Sequence, residues 1–214
     1  EECEFKNNNI VCIGTDEIHG FEDSKDINVN SSEVCIGQCL GDVLKEHCLD
    51  GTNIVPEIYR TYGILMIKSS NNTLTDNDVS VTSGVNESLA VNSTNSLVGI
   101  DFYYDCNNNL IANNTIDVAG LDNYLYGAGA LAQSTGQFSS TTAANNTFIG
   151  NDITVTGHNV VEGFIFGQGC ENNNVLDNTV KLNTDRTAYG ITLESSNKTN
   201  IDGNNITMDA SIAY

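Results

Sequence analysis

A short pattern of apolar and polar positions recurs along most of the chain. It reads apolar–x–x–Asn–x–(Ile/Val)–x–apolar, and the two apolar residues after the Asn are spaced two apart, as in a strand with one buried face. The copies are Phe5-Asn8-Ile10-Cys12, Leu74-Asn77-Val79-Val81, Ile111-Asn114-Ile116-Val118, Phe148-Asn151-Ile153-Val155, Val175-Asn178-Val180-Leu182 and Ile201-Asn204-Ile206-Met208. The pattern predicts a strand after each of these Asn residues.

A second column consists of glycines, each followed by an alternating apolar run. Its members are Gly63, Gly99, Gly127, Gly163 and Gly190. Apart from two insertions of about ten residues, near 83–95 and 128–144, each unit spans 26 or 27 residues. Units of this length, with short strands, Asn and Gly corners and no helix, are typical of a parallel β-helix in which each unit is one coil.

We therefore predict an all-β fold, a parallel β-helix solenoid of about six coils with residues 61–214 as one continuous repeat domain. The ladder positions Asn77, Asn114, Asn151, Asn178 and Asn204 are expected to adopt left-handed corners and to hydrogen-bond the Asn above and below. A β-sandwich would not keep so strict a register of Asn, and a leucine-rich solenoid would need more Leu. Insertions at fixed places in the coil are expected to form loops on one side of it.

Residues 1–60 form a Cys-rich N-terminal coil and cap-like segment in this interpretation. Between about 31 and 60 the repeat is interrupted, and the spacing of Leu40, Val43 and Leu44 predicts a short helix or a disulfide-stabilised excursion that covers part of the coil stack.

Charge excludes several classes of function. The 214 residues include 28 acidic and only 8 basic side chains, for a formal charge of −20. No basic surface is available to neutralise nucleic-acid phosphates or to bind an anionic membrane. No run approaches the roughly 20 apolar residues of a membrane span. The 31 Asn residues, by contrast, suit a fold with many turns.

Seven cysteines favour disulfides and hence an oxidising, extracellular setting, with reduced core thiols as the open alternative. Cys106 and Cys170 each follow a column Gly by seven residues, so they share a coil position two coils apart. That separation, about 9.6 Å, is too long for a disulfide between them. We predict intermolecular disulfides for Cys106, Cys170 and Cys3. The intrachain candidates are Cys12, Cys35, Cys39 and Cys48.

A zinc site built on Cys35 and Cys39 is disfavoured, because the adjacent His47 and Cys48 fit a tetrahedral finger badly. Eight Asn-x-Ser/Thr triplets permit glycosylation without demonstrating it. They begin at Asn30, Asn71, Asn86, Asn92, Asn113, Asn145, Asn197 and Asn205.

Enzymatic function is the least favoured class. Asn183-Thr184-Asp185 matches the Asn-Thr-Asp element of polygalacturonase-like hydrolases, and Gly157-His158-Asn159 is similar to their Gly-His-Gly. Their order is reversed here, and no Asp-Asp or Arg-x-Lys element follows. His19, His47 and His158 never share a coil position, so we predict neither catalytic residues nor a metal centre.

Two sets of side chains are expected near corners or on lateral faces. Aspartates could line one edge, which predicts a solvated face or, alternatively, weak divalent-cation binding. Tyrosines could pack laterally or offer a surface for glycans. The two sets are Asp76, Asp78, Asp101, Asp105, Asp117, Asp152, Asp177 and Asp202, and Tyr59, Tyr62, Tyr103, Tyr104, Tyr124, Tyr126, Tyr189 and Tyr214.

Another coil is due where the sequence stops, since the next column Gly would fall near position 216. An uncovered β-helix end is an open edge, which natural proteins normally cover. We expect it to be completed either by further chain or by another subunit, and the second option predicts head-to-tail stacking.

The Gly-Ile-x-Leu/Phe, Asn-Asn-x-Leu/Ile and Asn-x-Ile/Val coils of residues 60–214 resemble right-handed parallel β-helix repeats of large archaeal surface proteins. These are the adhesin-like proteins and the disulfide-linked, amyloid-like cell-sheath proteins of methanogens. The resemblance implies an extracellular tube of stacked hoops, made from a chain whose signal peptide is removed.

The expected function is therefore a non-enzymatic cell-sheath or surface-layer protein that polymerises through coil stacking and interchain disulfides, head to tail and laterally. The alternative is an adhesin-type domain that binds glycans or other cells, and a polysaccharide lyase or hydrolase is less favoured.

Overall fold

The computed structural model describes residues 4–14, 33–36, 39–40, 60–67, 69–83, 96–103, 106–121, 124–130, 143–167 and 169–214. Within these residues the regular structure consists of strands, and no helix is found. In chain order the strands are β1 (Glu4–Lys6), β2 (Asn9–Gly14), β3 (Glu33–Ile36), β4 (Cys39–Leu40), β5 (Arg60–Ile67), β6 (Thr73–Thr75), β7 (Asp78–Ser83), β8 (Ser96–Tyr103), β9 (Leu110–Ala112), β10 (Thr115–Ala119), β11 (Tyr124–Ala130), β12 (Thr147–Ile149), β13 (Asp152–Gly157), β14 (Val160–Phe166), β15 (Asn174–Leu176), β16 (Thr179–Thr184), β17 (Thr187–Leu193), β18 (Asn200–Asp202), β19 (Asn205–Asp209) and β20 (Ile212–Ala213).

Every third strand of the repeat belongs to the same sheet. Sheet A has the order β1-β6-β9-β12-β15-β18, and sheet B the order β2-β7-β10-β13-β16-β19. Sheet C runs β5-β8-β11-β14-β17-β20, and neighbours within all three rows pair in parallel. From β5 onward the chain visits sheets C, A and B in turn, once per coil. The predicted parallel β-helix is therefore confirmed.

Like residues stack on like residues in successive coils. Ile116 of β10 pairs with Val79 of β7 on one side and with Ile153 of β13 on the other. Within β10 the burial alternates: Ile116 is buried, whereas Thr115 and Asp117 are exposed. Each apolar column thus repeats at the strand spacing of about 4.8 Å and faces the interior of the coil.

The three sheets enclose one continuous apolar core. The ring centroid of Phe148 lies 5.4 Å from that of Phe102, 5.6 Å from that of Phe164 and 5.5 Å from that of Phe166. These rings come from three consecutive coils. Aromatic packing therefore joins neighbouring coils in addition to the backbone hydrogen bonds.

The column glycines lie where the backbone of one coil comes too close to its neighbours to leave room for a side chain. A Cβ atom on Gly99 would lie 2.4 Å from the Gly127 carbonyl oxygen and 2.4 Å from Cγ2 of Ile116. Gly99 lies outside the left-handed region, so its backbone conformation does not by itself need glycine. The column marks the line where sheet C approaches both the next coil and the inward side chains of sheet B.

Both insertions leave the coil beside sheet C. They lengthen the step between ladder asparagines to 37 residues, against 27 or 26 in the later coils. The first separates β7 from β8, at the turn from sheet B to sheet C, and the second separates β11 from β12, at the turn from sheet C to sheet A. They therefore leave the coil at the two corners that flank sheet C. The expectation that both loops lie on one side of the coil stays a prediction. Residues 84–95 and 131–142 themselves lie outside the described residues.

In addition to the parallel strands β1 and β2, the N-terminal segment contacts the repeat through two antiparallel strands. Cys35 of β3 is opposite Leu65, and Cys39 of β4 is opposite Thr61. The predicted helix is wrong at Leu40, which lies in β4, while Val43 and Leu44 lie outside the described residues. The edge of β5 offers backbone partners along its length, and this outweighs a short stretch of helical spacing.

Candidate functional site

The first amide ladder follows the corner between sheets A and B. Oδ1 of Asn114 accepts from both the backbone N–H and the Nδ2 of Asn77, at 3.0 and 2.9 Å. Nδ2 of Asn114 also donates to the Leu74 carbonyl, at 2.9 Å. The same Asn-to-Asn step links Asn8, Asn77, Asn114, Asn151, Asn178 and Asn204. The predicted hydrogen bonding between coils is confirmed.

A second, parallel ladder follows the corner between sheets C and A. It consists of Asn72, Asn109, Asn146 and Asn173, each five residues before an Asn of the first ladder. Oδ1 of Asn109 accepts from the backbone N–H and the Nδ2 of Asn72, at 2.9 and 3.0 Å. This ladder was not predicted. Its sequence signal is the Asn-Asn doublet that ends at each member and recurs once per coil.

The left-handed conformation belongs to the residue that precedes each ladder Asn, so the expectation that the Asn itself adopts it is wrong. A left-handed residue turns the chain at the corner, and the next side chain can then point into the coil, where it reaches the neighbouring coils. The residues with positive φ at these places are Asn7, Asp76, Asn113, Gly150, Asp177 and Gly203 in the first ladder and Asn71, Asn108, Asn145 and Asn172 in the second.

Three of the predicted glycosylation positions are exposed corner residues. Asn71, Asn113 and Asn145 each precede a buried ladder Asn and begin an Asn-x-Thr triplet. Asn86 and Asn92 lie outside the described residues. Glycosylation stays a prediction, with its acceptor amides at solvent-exposed positions.

Cys106 and Cys170 lie inside the coil, three residues before Asn of the second ladder. Both are fully buried, and neither is in a disulfide. The Cys106 thiol donates to the Met66 carbonyl, at 3.2 Å, and the Cys106 carbonyl accepts from Nδ2 of Asn146, at 2.8 Å. In the coil between them Ala143 occupies the equivalent position. This follows from the parallel bridge between Ala144 and Glu171, the residues directly after Ala143 and Cys170.

The prediction that Cys106 and Cys170 form intermolecular disulfides is therefore wrong. A sulfur in the core cannot reach a second folded molecule without opening of the coil. The alternative of reduced core thiols holds for these two residues. Cys3 and Cys48 lie outside the described residues, and Cys12 lies in β2 at the position paired with Val81.

Thiol labelling checks this placement. Burial is the main cause that raises the pKa of Cys170 to about 11, so the reactive thiolate is scarce at neutral pH. In the native protein we expect iodoacetamide to modify Cys106 and Cys170 at least about 100-fold more slowly than in urea. Peptide mapping by mass spectrometry after timed labelling measures this, and equal rates in the two conditions would place the sulfurs at the surface.

The aspartates do not form a continuous row. Asp78 and Asp152 occupy one column, but Thr115 lies between them, so they are about 9.6 Å apart. Asp101 is fully buried in sheet C, and Asp105 lies outside the described residues. The expected edge of stacked carboxylates is therefore interrupted at these positions.

Coil stacking brings the two hydrolase-like fragments together. Nδ1 of His158 lies 2.8 Å from Oδ2 of Asp185, and the two residues are 27 positions apart, the length of one coil. Their side chains are 47% and 78% exposed, so the contact is a solvated surface pair with a small effect on stability. The pair was not predicted. The spacing of the two fragments, which equals the length of one coil, could have indicated that they lie side by side.

The outer face of sheet C carries tyrosines beside a buried carboxyl group. Tyr126, Glu162 and Tyr189 are partners in consecutive strands. The Tyr189 ring stacks on that of Tyr214, with centroids 5.1 Å apart, and the Tyr124 ring stacks on that of Tyr126, at 6.3 Å. Two exposed rings, those of Tyr124 and Tyr214, extend this row to the surface.

Glu162 is only 7% exposed. Burial raises its pKa, the hydrogen bond from Thr192 opposes that shift, and the nearby Glu194 carboxylate adds to it. Oγ1 of Thr192 donates to Oε2 of Glu162 at 2.6 Å, across one coil step. The pair holds the carboxyl group in place between the tyrosines.

The last coil forms an exposed end of the stack, here called the C-terminal edge. It consists of β18, β19 and β20, each of which pairs on one side only among the described strands. Ile201 is 44% exposed, whereas Val175, the equivalent residue of the preceding coil, is buried. Ile212 is 49% exposed and pairs with the half-buried Thr187, in a column outside the core. At the opposite end, β1 and β2 are the outer strands of sheets A and B, and we call them the N-terminal edge.

Comparisons of the chain with protein-family models, curated proteins and solved structures gave no match. In the part of the chain that the structure describes, no helix is long and apolar enough to cross a membrane. In the same residues, no group of three or more His, Cys, Asp and Glu side chains could hold a metal ion.

Proposed function

We propose that this chain is a non-enzymatic structural protein of an extracellular sheath or surface layer, assembled by end-to-end stacking of β-helices. The observation that carries the proposal is the register of the coils, in which parallel strands and core side chains repeat the same contacts at each step. A row of strands of this kind can pair with a further strand of the same kind, and apolar area that is covered on pairing adds a favourable free energy.

The repetitive interior supports a structural role. The first amide ladder and the apolar core join successive coils along the stack, and the second ladder joins the four coils of Asn72, Asn109, Asn146 and Asn173, so added length adds the same contacts again. The resemblance of the coils to archaeal surface proteins supports the extracellular setting. The cross-linking part of the proposal rests on Cys3 and the other cysteines of residues 1–60, since Cys106 and Cys170 are internal.

The test is the assembly state over a range of protein concentrations, with and without reductant, by light scattering and electron microscopy. We expect elongated assemblies whose formation is favoured by salt, because a charge of −20 on each chain opposes association at low ionic strength.

A matched pair of variants locates the contact. Ile201→Glu places a carboxylate over the exposed core column, and we expect it to raise the concentration for half-assembly at least about tenfold. Asn200→Glu adds the same charge at the neighbouring exposed residue, on the outer side of the strand, and should leave assembly close to that of the unaltered chain. Circular dichroism verifies that both variants are folded. A chain that stays monomeric at every concentration and salt would contradict the proposal.

Monomeric behaviour would instead favour the second candidate, an adhesin-type glycan-binding domain. The specific observation behind it is the row of stacked tyrosines on sheet C, since aromatic faces suit the apolar faces of sugars. In that case a monomer that binds immobilised glycans, and loses binding on Tyr124→Ala, is the expected result.

A further inference from the structure

The outer face of sheet A has an apolar strip that is partly open to solvent. Its members belong to three neighbouring strands and point away from the core; they are Leu110 and Ala112 of β9, Ile149 of β12 and Leu176 of β15. Leu110 is 37% exposed, and Ile149 and Leu176 are half-buried. Apolar side chains that are grouped on an outer face gain free energy when another group covers them.

Asn-x-Thr triplets border this apolar strip on both sides. Asn71 and Asn145 lie at the corner between sheets C and A, two residues before β6 and β12, and Asn113 lies at the opposite corner, directly after β9. Because β6, β9 and β12 are neighbours in sheet A, the three asparagines alternate between the two corners in successive coils. At the first corner Asn108, which begins no triplet, lies between Asn71 and Asn145, so these two are separated by two coil steps, about 9.6 Å.

The corner geometry presents the Asn and the Thr of each triplet on the outer surface together. Asn113 and Thr115 are exposed, whereas Asn114 between them is buried in the first ladder. The triplets of Asn71 and Asn145 have the same arrangement, with an exposed Asn, a buried ladder Asn and a half-buried Thr. In the part of the chain that the structure describes, the side-chain amides of the three exposed asparagines make no hydrogen bond. An enzyme can therefore reach both recognised side chains of each triplet from the solvent.

Asn113 also has open space beside it. In the next coil the same corner is occupied by Gly150, with a φ of 66°, and a Cβ atom there would lie 2.7 Å from Oδ1 of Asn113. The side chain of Asn113 thus lies over a place where most residues would have a side chain of their own. A sugar on Nδ2 of Asn113 meets no corner side chain on that side.

We infer that Asn71, Asn113 and Asn145 carry N-linked glycans and that these glycans cover the apolar strip of sheet A. The inference rests on the extracellular part of the proposed function, because glycans of this kind are attached to chains that leave the cell. The donor is a glycan on a lipid phosphate. Nδ2 of the Asn attacks the anomeric carbon of the first sugar and loses one proton to a base of the transferase. The bond from that carbon to the phosphate oxygen breaks, and the lipid phosphate leaves with the electron pair.

Sugars suit this place on the surface. One face of a pyranose ring is lined by C–H groups, which can pack on Leu110 and Ile149, while the hydroxyl groups at the ring edge stay in water. The attached glycans therefore replace a partly exposed apolar surface by a bulky, hydrated one. It follows that the outer face of sheet A is directed towards solvent in an assembly and is not used in end-to-end stacking.

Peptide mapping by mass spectrometry of the protein from its natural source tests the modification. We expect peptides that contain Asn71, Asn113 or Asn145 to carry additional mass equal to whole sugar residues. Fragmentation that retains the sugar assigns it to the individual Asn. Peptides without sugar at all three positions would overturn the inference.

A matched pair of triple variants tests whether the glycans cover the strip. Alanine at Thr73, Thr115 and Thr147 destroys the three triplets and leaves both amide ladders intact, whereas serine at the same positions keeps the triplets. After secretion from a host that attaches N-linked glycans, we expect the alanine variant to bind at least about twofold more of a hydrophobic dye such as bis-ANS. Made in a host without this modification, the two variants should bind the dye equally. Leu110→Gln in the alanine variant should remove most of the extra binding.

The outcomes separate the inference from the proposed function. Assemblies whose chains carry no sugar on the three asparagines would overturn the inference, and end-to-end stacking would still stand. Glycosylated chains that stay monomeric at every concentration and salt would contradict the proposed assembly, and the modification would still stand. Equal dye binding by the glycosylated serine variant and the alanine variant would mean that the sugars extend away from sheet A, and the inferred cover would be wrong.

Discussion

An Asn114→Asp variant is expected to lose about 3–5 kcal/mol of unfolding free energy, because the new side chain reverses the chemistry of a buried ladder position. Asn114 is 1% exposed, and its Nδ2 donates to Oδ1 of Asn151 and to the Leu74 carbonyl. Asp has no hydrogen to donate to either oxygen. Its carboxylate would face both acceptors inside the coil, where charge is poorly solvated. Urea unfolding followed by far-ultraviolet circular dichroism measures the loss.

The adjacent residue provides the control. Asn113 is exposed and left-handed, with a φ of 55°, and Asp76 and Asp177 occupy the same place in other coils. Asn113→Asp therefore makes the same chemical change at a position that already accepts Asp, and we expect a shift within about 0.5 kcal/mol. Similar losses in the two variants would mean that the ladder hydrogen bonds do not distinguish the buried residue from the exposed one.

A Gly99→Ala variant is expected to lose about 3 kcal/mol, because the added methyl group has no room. It would meet the Gly127 carbonyl oxygen and the Ile116 side chain, each 2.4 Å from the new Cβ atom. The carbonyl belongs to the backbone of the next coil, so relief requires two coils to move apart. The same urea titration measures the effect.

Gly190→Ala is the matched variant in the same column. Its nearest neighbours would be two atoms of Ile206, at 3.1 and 3.3 Å, and Ile206 lies at the C-terminal edge, where a side chain can shift. We expect a loss below about 1 kcal/mol. If Gly190→Ala proved as damaging as Gly99→Ala, close approach between coils would not be the reason for the glycine column.

Much of the architecture could be predicted because each coil of a solenoid repeats the same pattern of apolar residues and corner residues. The alternation around Ile116 fixes a strand with one buried face, and the recurrence of the ladder Asn, every 26 or 27 residues apart from the two insertions, places successive strands side by side. The same logic correctly located the first ladder. It could not assign the conformation of the corner, since Asp76 and Asn77 are both suitable for a left-handed turn and only three-dimensional packing decides between them.

The side chains whose placement was predicted wrongly or missed lie at the corners, where the direction of a side chain does not follow from strand alternation. Cys106 lies outside the strands, so no alternation indicates whether it faces the core or the solvent, and only the fold shows it to be internal. The second ladder was missed for the same reason, because Asn109 precedes β9 and belongs to no alternating run. His158 and Asp185 lie in two fragments whose order along the chain is the reverse of that in polygalacturonase-like hydrolases. A comparison along the sequence therefore did not indicate that the two side chains touch.

The direction of the hydrogen bonds has a mechanical consequence. In all three sheets and in both ladders, the bonds between coils run along the axis of the coil stack. Tension along that axis loads every bond of an interface at the same time, so rupture requires them to fail together. A force that peels the last strand sideways breaks them one after another. A fibre built from such units would therefore resist stretching much better than fraying from its tip.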